Sequence, residues 1–477
     1  MYFYPALIQK SIDTFSKYYK IRYFYNSIYL NSFLDTIREI NQNENIRKER
    51  QLTNENILLK IWYQNLEREF DKKLRSDNFV NLLDKYVNSN LELLDDIYSN
   101  GFINLQLAYH DFIDLYLKYF YSPFVSYSKE LKLADHKIIF QKNSTKLLHY
   151  INNNTHQQTK GSENNNNILL IIYAQINRFH ILDLNPSKSI VRTLLENGID
   201  IYLLDWGYPD KRDNDLTLKD YIDYIDDAVD AIIQDRSLTS SSSSPIKISI
   251  LGYCWGGLNS IIYTAVANNQ KNIDKLILMA TPIDFSKDNT TVSMWSKTID
   301  TDKIIETFGH FDGYLLDFVF NMRNPVANFA KYFTLWKNLD NKDFINTFFD
   351  VEKWLHDTPP IPGGLYKKIV NDCYKNNLLI TGNMKLEEDE KLLEQEDDNN
   401  ENNKININKI TIPVLSIIAE KDDLVSPMSS IAIDEYISSK EKKVFKHPGG
   451  HVSLCISDTA HKELWPKVAN WIKSKIS

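Results

Sequence analysis

The sequence predicts an α/β fold: a mostly parallel sheet with helices over both faces. Three observations predict it. Residues 168–173, 199–204, 246–251, 276–280 and 412–419 are short apolar runs, the pattern of strands buried on both faces. Helix-like stretches alternate with most of these runs, which implies parallel strands joined by crossovers. The run at 246–251 leads into Gly252-Tyr253-Cys254-Trp255-Gly256-Gly257, a glycine-rich turn, and then into a second helix-like stretch.

In chain order, residues 1–125 read as helices. Neither Gly nor Pro occurs between Pro5 and Gly101, so little interrupts them. Residues 102–121 form an amphipathic pattern in which His110, Asp111, Asp114 and Lys118 break the apolar run; His110 and Asp111 read as surface or capping residues. Residues 152–167 are polar and Asn-rich, a spacer. After the strand at 168–173, residues 186–197 read as a helix ended by Gly198, the usual residue just past a helix end. The strand at 199–204 follows. Thr217-Leu218-Lys219-Asp220 has the pattern of a helix start, and Tyr221, Ile222, Ile225, Val229, Ile232 and Ile233 form an apolar stripe behind it. A Ser-rich connector at 237–244 leads to the strand before the glycine-rich turn. The helix at 258–266 and the strand at 276–280 come next.

From Asp284 the alternation stops. The segment to about 386 carries Trp295, Phe308, Phe311, Tyr314, Phe318, Phe320, Phe333, Trp336 and Trp354. An insertion at this point is expected to be a cap of about 284–408, most of its rings packing its own core and the rest facing an apolar channel. Residues 387–408 are acidic and Asn-rich, a surface or disordered stretch. The strand at 412–419 returns to the sheet. The last helix, 459–476, packs Leu464, Val468, Trp471 and Ile472, with Pro466 bending it or lying near its first turn. Two regions result: a helical one at 1–125 and a catalytic α/β domain at 126–477.

Composition narrows the function. The 477 residues are 43% hydrophobic and 25% charged, an ordinary globular balance, and a net charge of −8 gives no general nucleic-acid footprint. The three cysteines, Cys254, Cys373 and Cys455, suggest neither a disulfide framework nor a zinc site, and a thiol nucleophile needs a reducing compartment. No basic region followed by a long apolar run opens the chain, and no apolar run approaches a membrane span. The expectation is a cytoplasmic protein. Cys373 and Cys455 read as packing residues, and Arg178 is a weak candidate for contacting an anionic substrate.

The chemistry concentrates at Cys254. A strand, a sharp Gly-x-Cys-x-Gly turn and a helix make a nucleophile elbow, in which the glycines leave room for a turn that lifts one side chain out. Backbone N–H groups and the helix dipole at that point favour a thiolate. Cysteine where most elbows carry serine suits acyl transfer from a thioester. The strand at 412–419 runs into Glu420-Lys421-Asp422-Asp423, and His451 follows Pro448-Gly449-Gly450 near the C-terminus. Nucleophile, then acid after a strand, then His on a glycine-rich loop is the chain order of α/β-hydrolase triads. The assignment is Cys254, Asp422 and His451, with Asp423 the competitor for the acid. The N–H of Trp255, the residue after the nucleophile, is expected to help hold the oxyanion.

From about Pro123 to the C-terminus the chain resembles the catalytic subunit of class III polyhydroxyalkanoate synthases. The segments that carry the likeness include Tyr173-Ala174-Gln175-Ile176-Asn177-Arg178, Tyr202-Leu203-Leu204-Asp205-Trp206-Gly207-Tyr208-Pro209, the cysteine elbow, Thr281-Pro282-Ile283-Asp284-Phe285, Glu352-Lys353-Trp354 and Pro448-Gly449-Gly450-His451. The resemblance puts the family's triad on the same Cys254, Asp422 and His451, and the second oxyanion donor at the N–H of Ile176. It implies polymerisation of (R)-3-hydroxyacyl-CoA, short-chain as in 3-hydroxybutyryl-CoA, with release of CoA and no separate cofactor. It also implies the surface of polymer granules as location, and a homodimer or a helical companion subunit as assembly. In the family the acid is thought to help activate the substrate hydroxyl, so its role, that or orienting His451, stays open. The chain departs from the family pattern at Asp423, where His is usual, at Ser426 and at Ser453. Two other readings compete: a thioesterase or esterase that uses water as acceptor, and a non-catalytic granule scaffold. Polymer against free acid separates the first, and the intact Cys, Asp and His argue against the second.

Overall fold

The computed structural model describes residues 133–151, 167–239, 245–266, 270–323, 338, 341–386 and 404–475. All lie in the second of the two units into which the chain divides, 129–477. The expected helices of 1–125, the Asn-rich spacer at 152–166 and the acidic stretch at 387–403 lie outside the described residues.

Eight strands form the central sheet: β1 (His136–Lys142), β2 (Thr145–Tyr150), β3 (Ile168–Ile172), β4 (Asp200–Asp205), β5 (Ile248–Tyr253), β6 (Ile273–Met279), β7 (Val414–Ala419) and β8 (Lys442–His447). Their order is β1-β2-β4-β3-β5-β6-β7-β8. The first two pairings, β1 with β2 and β2 with β4, are antiparallel, and the rest are parallel. Every residue of β3, β5 and β7 is buried, as unbroken apolar runs require when both faces are covered.

Helix α1 (Ile190–Glu196) connects β3 to β4, α2 (Leu218–Thr239) connects β4 to β5, and α3 (Trp255–Val266) connects β5 to β6. The chain steps one way from β3 to β4 and the other way from β4 through β5 to β6. Right-handed crossovers therefore place α1 on one face and α2 and α3 on the opposite one. The reversal leaves a crevice at the carboxyl ends of β3 and β5, where ligands bind in open parallel sheets.

Local chemistry sets the element ends. Ser189, not Pro186, starts α1: its hydroxyl accepts from Arg192 N at 2.9 Å. Asn185 holds the preceding residues in a turn, its carbonyl accepting from Ser187 N and Lys188 N. Gly198 has φ +78°, the left-handed stop its position predicts. At the start of α2, Asp220 accepts from Thr217 N at 2.7 Å and from the Thr217 hydroxyl at 2.8 Å. Helix α2 runs on to Thr239, into the stretch read as a connector. The C-terminal helix is split into a π-turn (Ala460–Leu464) and an α-helix (Trp465–Lys473) whose first turn holds Pro466.

The segment inserted between β6 and β7 stands outside the central sheet. It contains helices Thr291–Thr298, Thr301–Phe308, Gly313–Arg323, Lys342–Leu355 and Gly363–Lys368, followed by a π-helix, Ile369–Lys375. Phe311 and Trp354 are buried, while Trp295 and Phe308 are exposed. The acidic stretch ends earlier than its composition suggests. Ile405 and Ile407 are buried, and Ile405 N donates to Met384 O at 2.8 Å, because two isoleucines at spacing two supply the apolar area its neighbours lack. Among the described residues no helix is long and apolar enough to cross a membrane.

The loop after β3 is tied to its surroundings by Arg178. Its guanidinium donates to both oxygens of Asp205, at 3.0 and 2.9 Å, and lies 4.5 Å from the Tyr208 ring centroid. Asp205 also accepts from Gly207 N. Arg178 is thus an internal strut rather than a free anion receptor. Replacing it strands a nearly buried carboxylate, whereas the Arg212–Asp210 pair sits in solvent. Arg178→Met is expected to lower unfolding free energy by about 3 kcal/mol, and Arg212→Met by less than about 0.5 kcal/mol, as read from urea midpoints.

Candidate active site

Strand β5 ends at Tyr253 and α3 begins at Trp255, so Cys254 alone makes the turn. Its φ is +54°, a left-handed conformation that a residue with a Cβ adopts at a cost of about 1–3 kcal/mol. Hydrogen bonds hold it there. Cys254 N donates to Met279 O at 2.9 Å, and Cys254 O accepts from Gly257 N at 2.9 Å. A Cβ on Gly256 would strike the carbonyl of Ile172, and one on Gly257 would strike the Thr281 side chain. Both glycines let the first turn of α3 press onto the strand ends. The amides of that first turn have no intrahelical acceptor, and the helix dipole adds positive potential at the same point.

Asp422 lies just beyond β7. Its Oδ1 accepts from Leu424 N at 2.9 Å and Val425 N at 3.0 Å, and its Oδ2 faces His451 Nδ1 at 2.7 Å. The D-x-x-V spacing thus closes a small turn around the carboxylate. The neighbouring Asp423 is exposed, so the pair of adjacent acids separates by direction: one inward, one outward.

His451 follows the Pro448-Gly449-Gly450 turn after β8. The acid loop and the histidine loop are laced together, with Glu420 N donating to His447 O and Lys421 N to Gly449 O. The His451 ring stacks on Tyr253, centroids 4.9 Å apart at 24°. Burial pulls the imidazole toward its neutral form, but the Asp422 charge and hydrogen bond, with a hydrogen bond and charge from Cys254, push its pKa up to about 10. The structure therefore brings Cys254, His451 and Asp422 together in one chain of contacts.

Of the two backbone amides expected to hold an oxyanion, Trp255 N opens α3. Ile176 lies in the loop after β3, and Ile172 of β3 pairs with Gly252 of β5, so this loop leaves the sheet beside the elbow. Asn177, with φ +56°, fastens the loop to the insertion: its side-chain amide donates to Leu355 O at 3.0 Å and the Thr358 hydroxyl at 2.7 Å. Trp354 Nε1 adds a bond to Arg178 O at 2.6 Å.

Cys373 and Cys455 are fully buried, and burial pushes both thiols up, Cys455 to about 12. Both are inert packing groups. His447 is buried with Ser457 Oγ 3.0 Å from its Nε2, and Asp284 accepts from Ser286 and Asn377; both serve the scaffold. Among the described residues no cluster of His, Cys, Asp and Glu could hold a metal ion.

Sequence reasoning missed two aromatic neighbours of the site. For Tyr253 the available signal was its place directly before the nucleophile at the strand end, where its ring meets His451. Tyr374 sits in the insertion, 119 residues from the Trp255 indole N–H that donates to its hydroxyl at 3.1 Å. Nothing local in the sequence marks it.

The raised pKa of His451 links stability to pH. The native state keeps a proton that the unfolded chain releases near 6.5, so the contribution is complete below about 6.5 and is lost as pH rises toward 10. The melting-temperature advantage of the wild-type chain over Asp422→Asn is expected to shrink steadily across that window; a constant or growing difference contradicts it.

Comparison with known proteins agrees with this architecture. The alpha/beta hydrolase fold family matches residues 178–455, and the poly-beta-hydroxybutyrate polymerase (PhaC) N-terminus matches residues 122–194. The chain is 33% identical over 343 residues to the poly(3-hydroxyalkanoate) polymerase subunit PhaC of Haloferax mediterranei, covering 71% of this chain and 64% of that protein, a little under two thirds of its length. It is 33% identical over 307 residues to the subunit of the same name from Allochromatium vinosum, covering 64% of this chain and 80% of that one. The corresponding figures for Synechocystis are 30% over 314 residues, 64% and 77%. Among solved structures, a soluble variant of Saccharomyces cerevisiae monoglyceride lipase is 12% identical with a TM-score of 0.45, covering 72% of this chain and 96% of its own. With 33% identity over an aligned stretch that covers 80% of a relative, the chain belongs to the family of the poly(3-hydroxyalkanoate) polymerase subunit PhaC, within the alpha/beta hydrolase fold.

Proposed function

We propose that this chain is a polyhydroxyalkanoate synthase that polymerises short-chain (R)-3-hydroxyacyl-CoA, such as 3-hydroxybutyryl-CoA, through an acyl group carried on Cys254. The observation that carries the reading is a cysteine, in place of the usual serine, at a strained elbow in contact with a buried His451–Asp422 pair. His451 holds the proton of the Cys254–His451 pair, and the thiolate adds to the thioester carbonyl. The N–H groups of Trp255 and Ile176 hold the resulting oxyanion. The C–S bond to CoA breaks, and CoA leaves as the thiol with the proton from His451. An enzyme thioester replaces a substrate thioester, so the acyl group stays activated. The 3-hydroxyl of the next acyl unit then gives its proton to His451 and attacks the acyl carbon. An ester forms and Cys254 is freed.

No separate cofactor enters this scheme; CoA is part of the substrate and the leaving group. Asp422 acts here through His451. Both of its oxygens are engaged, one by the imidazole and one by two backbone amides, which supports an orienting role over direct activation of the incoming hydroxyl. We place the protein in the cytoplasm at the surface of polymer granules, as a homodimer, with a helical companion subunit, or both.

Incubation with 3-hydroxybutyryl-CoA tests the reading, with CoA release and polymer measured together. Polymer is expected; stoichiometric free 3-hydroxybutyrate would make the protein a thioesterase. Cys254→Ala is expected to lower CoA release by roughly 10³-fold or more, and retained turnover would remove the nucleophile assignment. Asp422→Asn is expected to lower the rate by about 10²-fold or more and Asp423→Asn by less than about 3-fold, since only the former touches His451; the reverse order in steady-state rates would move the acid.

A further inference from the structure

We infer that Tyr374 is a specificity-determining residue that donates a hydrogen bond to the 3-oxygen of the acyl group, so that the site selects 3-hydroxyacyl thioesters over plain acyl thioesters. This rests on the reading of Cys254 as the acyl carrier.

Tyr374 projects from the π-helix Ile369–Lys375, and π-turns place side chains where a regular helix would not. Its ring packs on Phe285, centroids 4.4 Å apart, and on the Trp255 side chain at 6.3 Å. The phenol oxygen accepts from Trp255 Nε1 at 3.1 Å, which anchors it to the residue beside the nucleophile. Cys254 is close enough for its charge to act on the phenol. Burial holds the phenol in its protonated form, so it is a donor at any working pH. A phenol has one proton. With the indole on the acceptor side, that proton must find an acceptor, and among the described residues none takes it. The carboxylate of Asp288, whose charge also reaches the phenol, accepts from Thr290 N at 3.0 Å and makes no hydrogen bond to the phenol.

A buried donor left open is uncommon in native structures. Here it belongs to the insertion, while the backbone amides of Trp255 and Ile176 belong to the elbow helix and to the loop after β3. The acyl carbonyl oxygen belongs to those amides. In a 3-hydroxyacyl group on Cys254, the next oxygen along is the one on C3: a hydroxyl in the first unit, an ester oxygen once the chain has grown. Either accepts a hydrogen bond, and a plain acyl chain offers a methylene instead. A site with a buried polar group reserved for one substrate oxygen discriminates strongly against the analogue that lacks it.

The test uses the full chain with 3-hydroxybutyryl-CoA and butyryl-CoA, following acylation of Cys254 by mass spectrometry in single turnovers. The wild-type protein is expected to favour the hydroxylated thioester. Tyr374→Phe keeps the ring against Phe285 and removes only the hydroxyl. It is expected to slow acylation by 3-hydroxybutyryl-CoA by about 10-fold or more and to change the butyryl-CoA rate by less than about 2-fold. A merely structural role would slow both alike. If Tyr374→Phe melts early, the wild-type protein carries the test: 3-hydroxybutyryl-CoA is expected to acylate Cys254 at least about 10-fold faster than butyryl-CoA, and equal rates overturn the inference. Equal losses on both thioesters, or none on either, overturn the inference and leave Cys254 as the acyl carrier. Absence of acyl-Cys254 from both thioesters in the wild-type protein overturns the inference together with the reading beneath it.

Discussion

The approach of helix α3 to the sheet at its first turn is the constraint on which the rest of the site depends. Gly256 sits against the carbonyl of Ile172 and Gly257 against Thr281, so neither position has room for a Cβ. That closeness fixes Cys254 at φ +54° and starts α3, with its free first amides, at the next residue. The local cost is borne by a large scaffold: β3, β5 and the flanking helix are buried almost throughout. A site built on rigid elements keeps its geometry through a turnover, which loops alone do not ensure.

The other two groups are held differently. Asp422 and His451 each sit on a loop, but the loops brace one another through backbone bonds, and the carboxylate is closed on all sides by donors. The imidazole is held at its Nδ1 edge by that carboxylate and on one face by the Tyr253 ring. One face of the arrangement is therefore sheet and the other is mutual support between two short segments.

Much of this was legible in the sequence, for identifiable reasons. Strands buried on both faces leave unbroken apolar runs, which located β3 to β7. Cys254, Asp422 and His451 each sit in a local pattern with a geometric cause: glycines for the close turn, D-x-x-V for the Asx-type turn at Val425, Gly-Gly before the histidine. Element ends were less legible, because side-chain bonds such as those of Asn185 and Ser189 decide them. The buried isoleucines Ile405 and Ile407 were masked by the acidic composition before them. Tyr374 was illegible for a different reason. Its meaning comes from a contact across 119 residues, and no local pattern encodes such a contact.

The side chain of Asn177 couples two parts of the molecule that the chemistry uses for different purposes. It bonds the loop carrying Ile176 to residues 355–358 of the insertion, and the Trp354 indole bonds the same loop one residue later. Lifting that segment would break these bonds or drag the loop away from the elbow. On the proposed polymerisation, a product that lengthens with every cycle would have to leave without disturbing residues 354–358. Its exit would then run elsewhere around the insertion, and the anchorage of one asparagine would set which wall of the site yields to a growing chain.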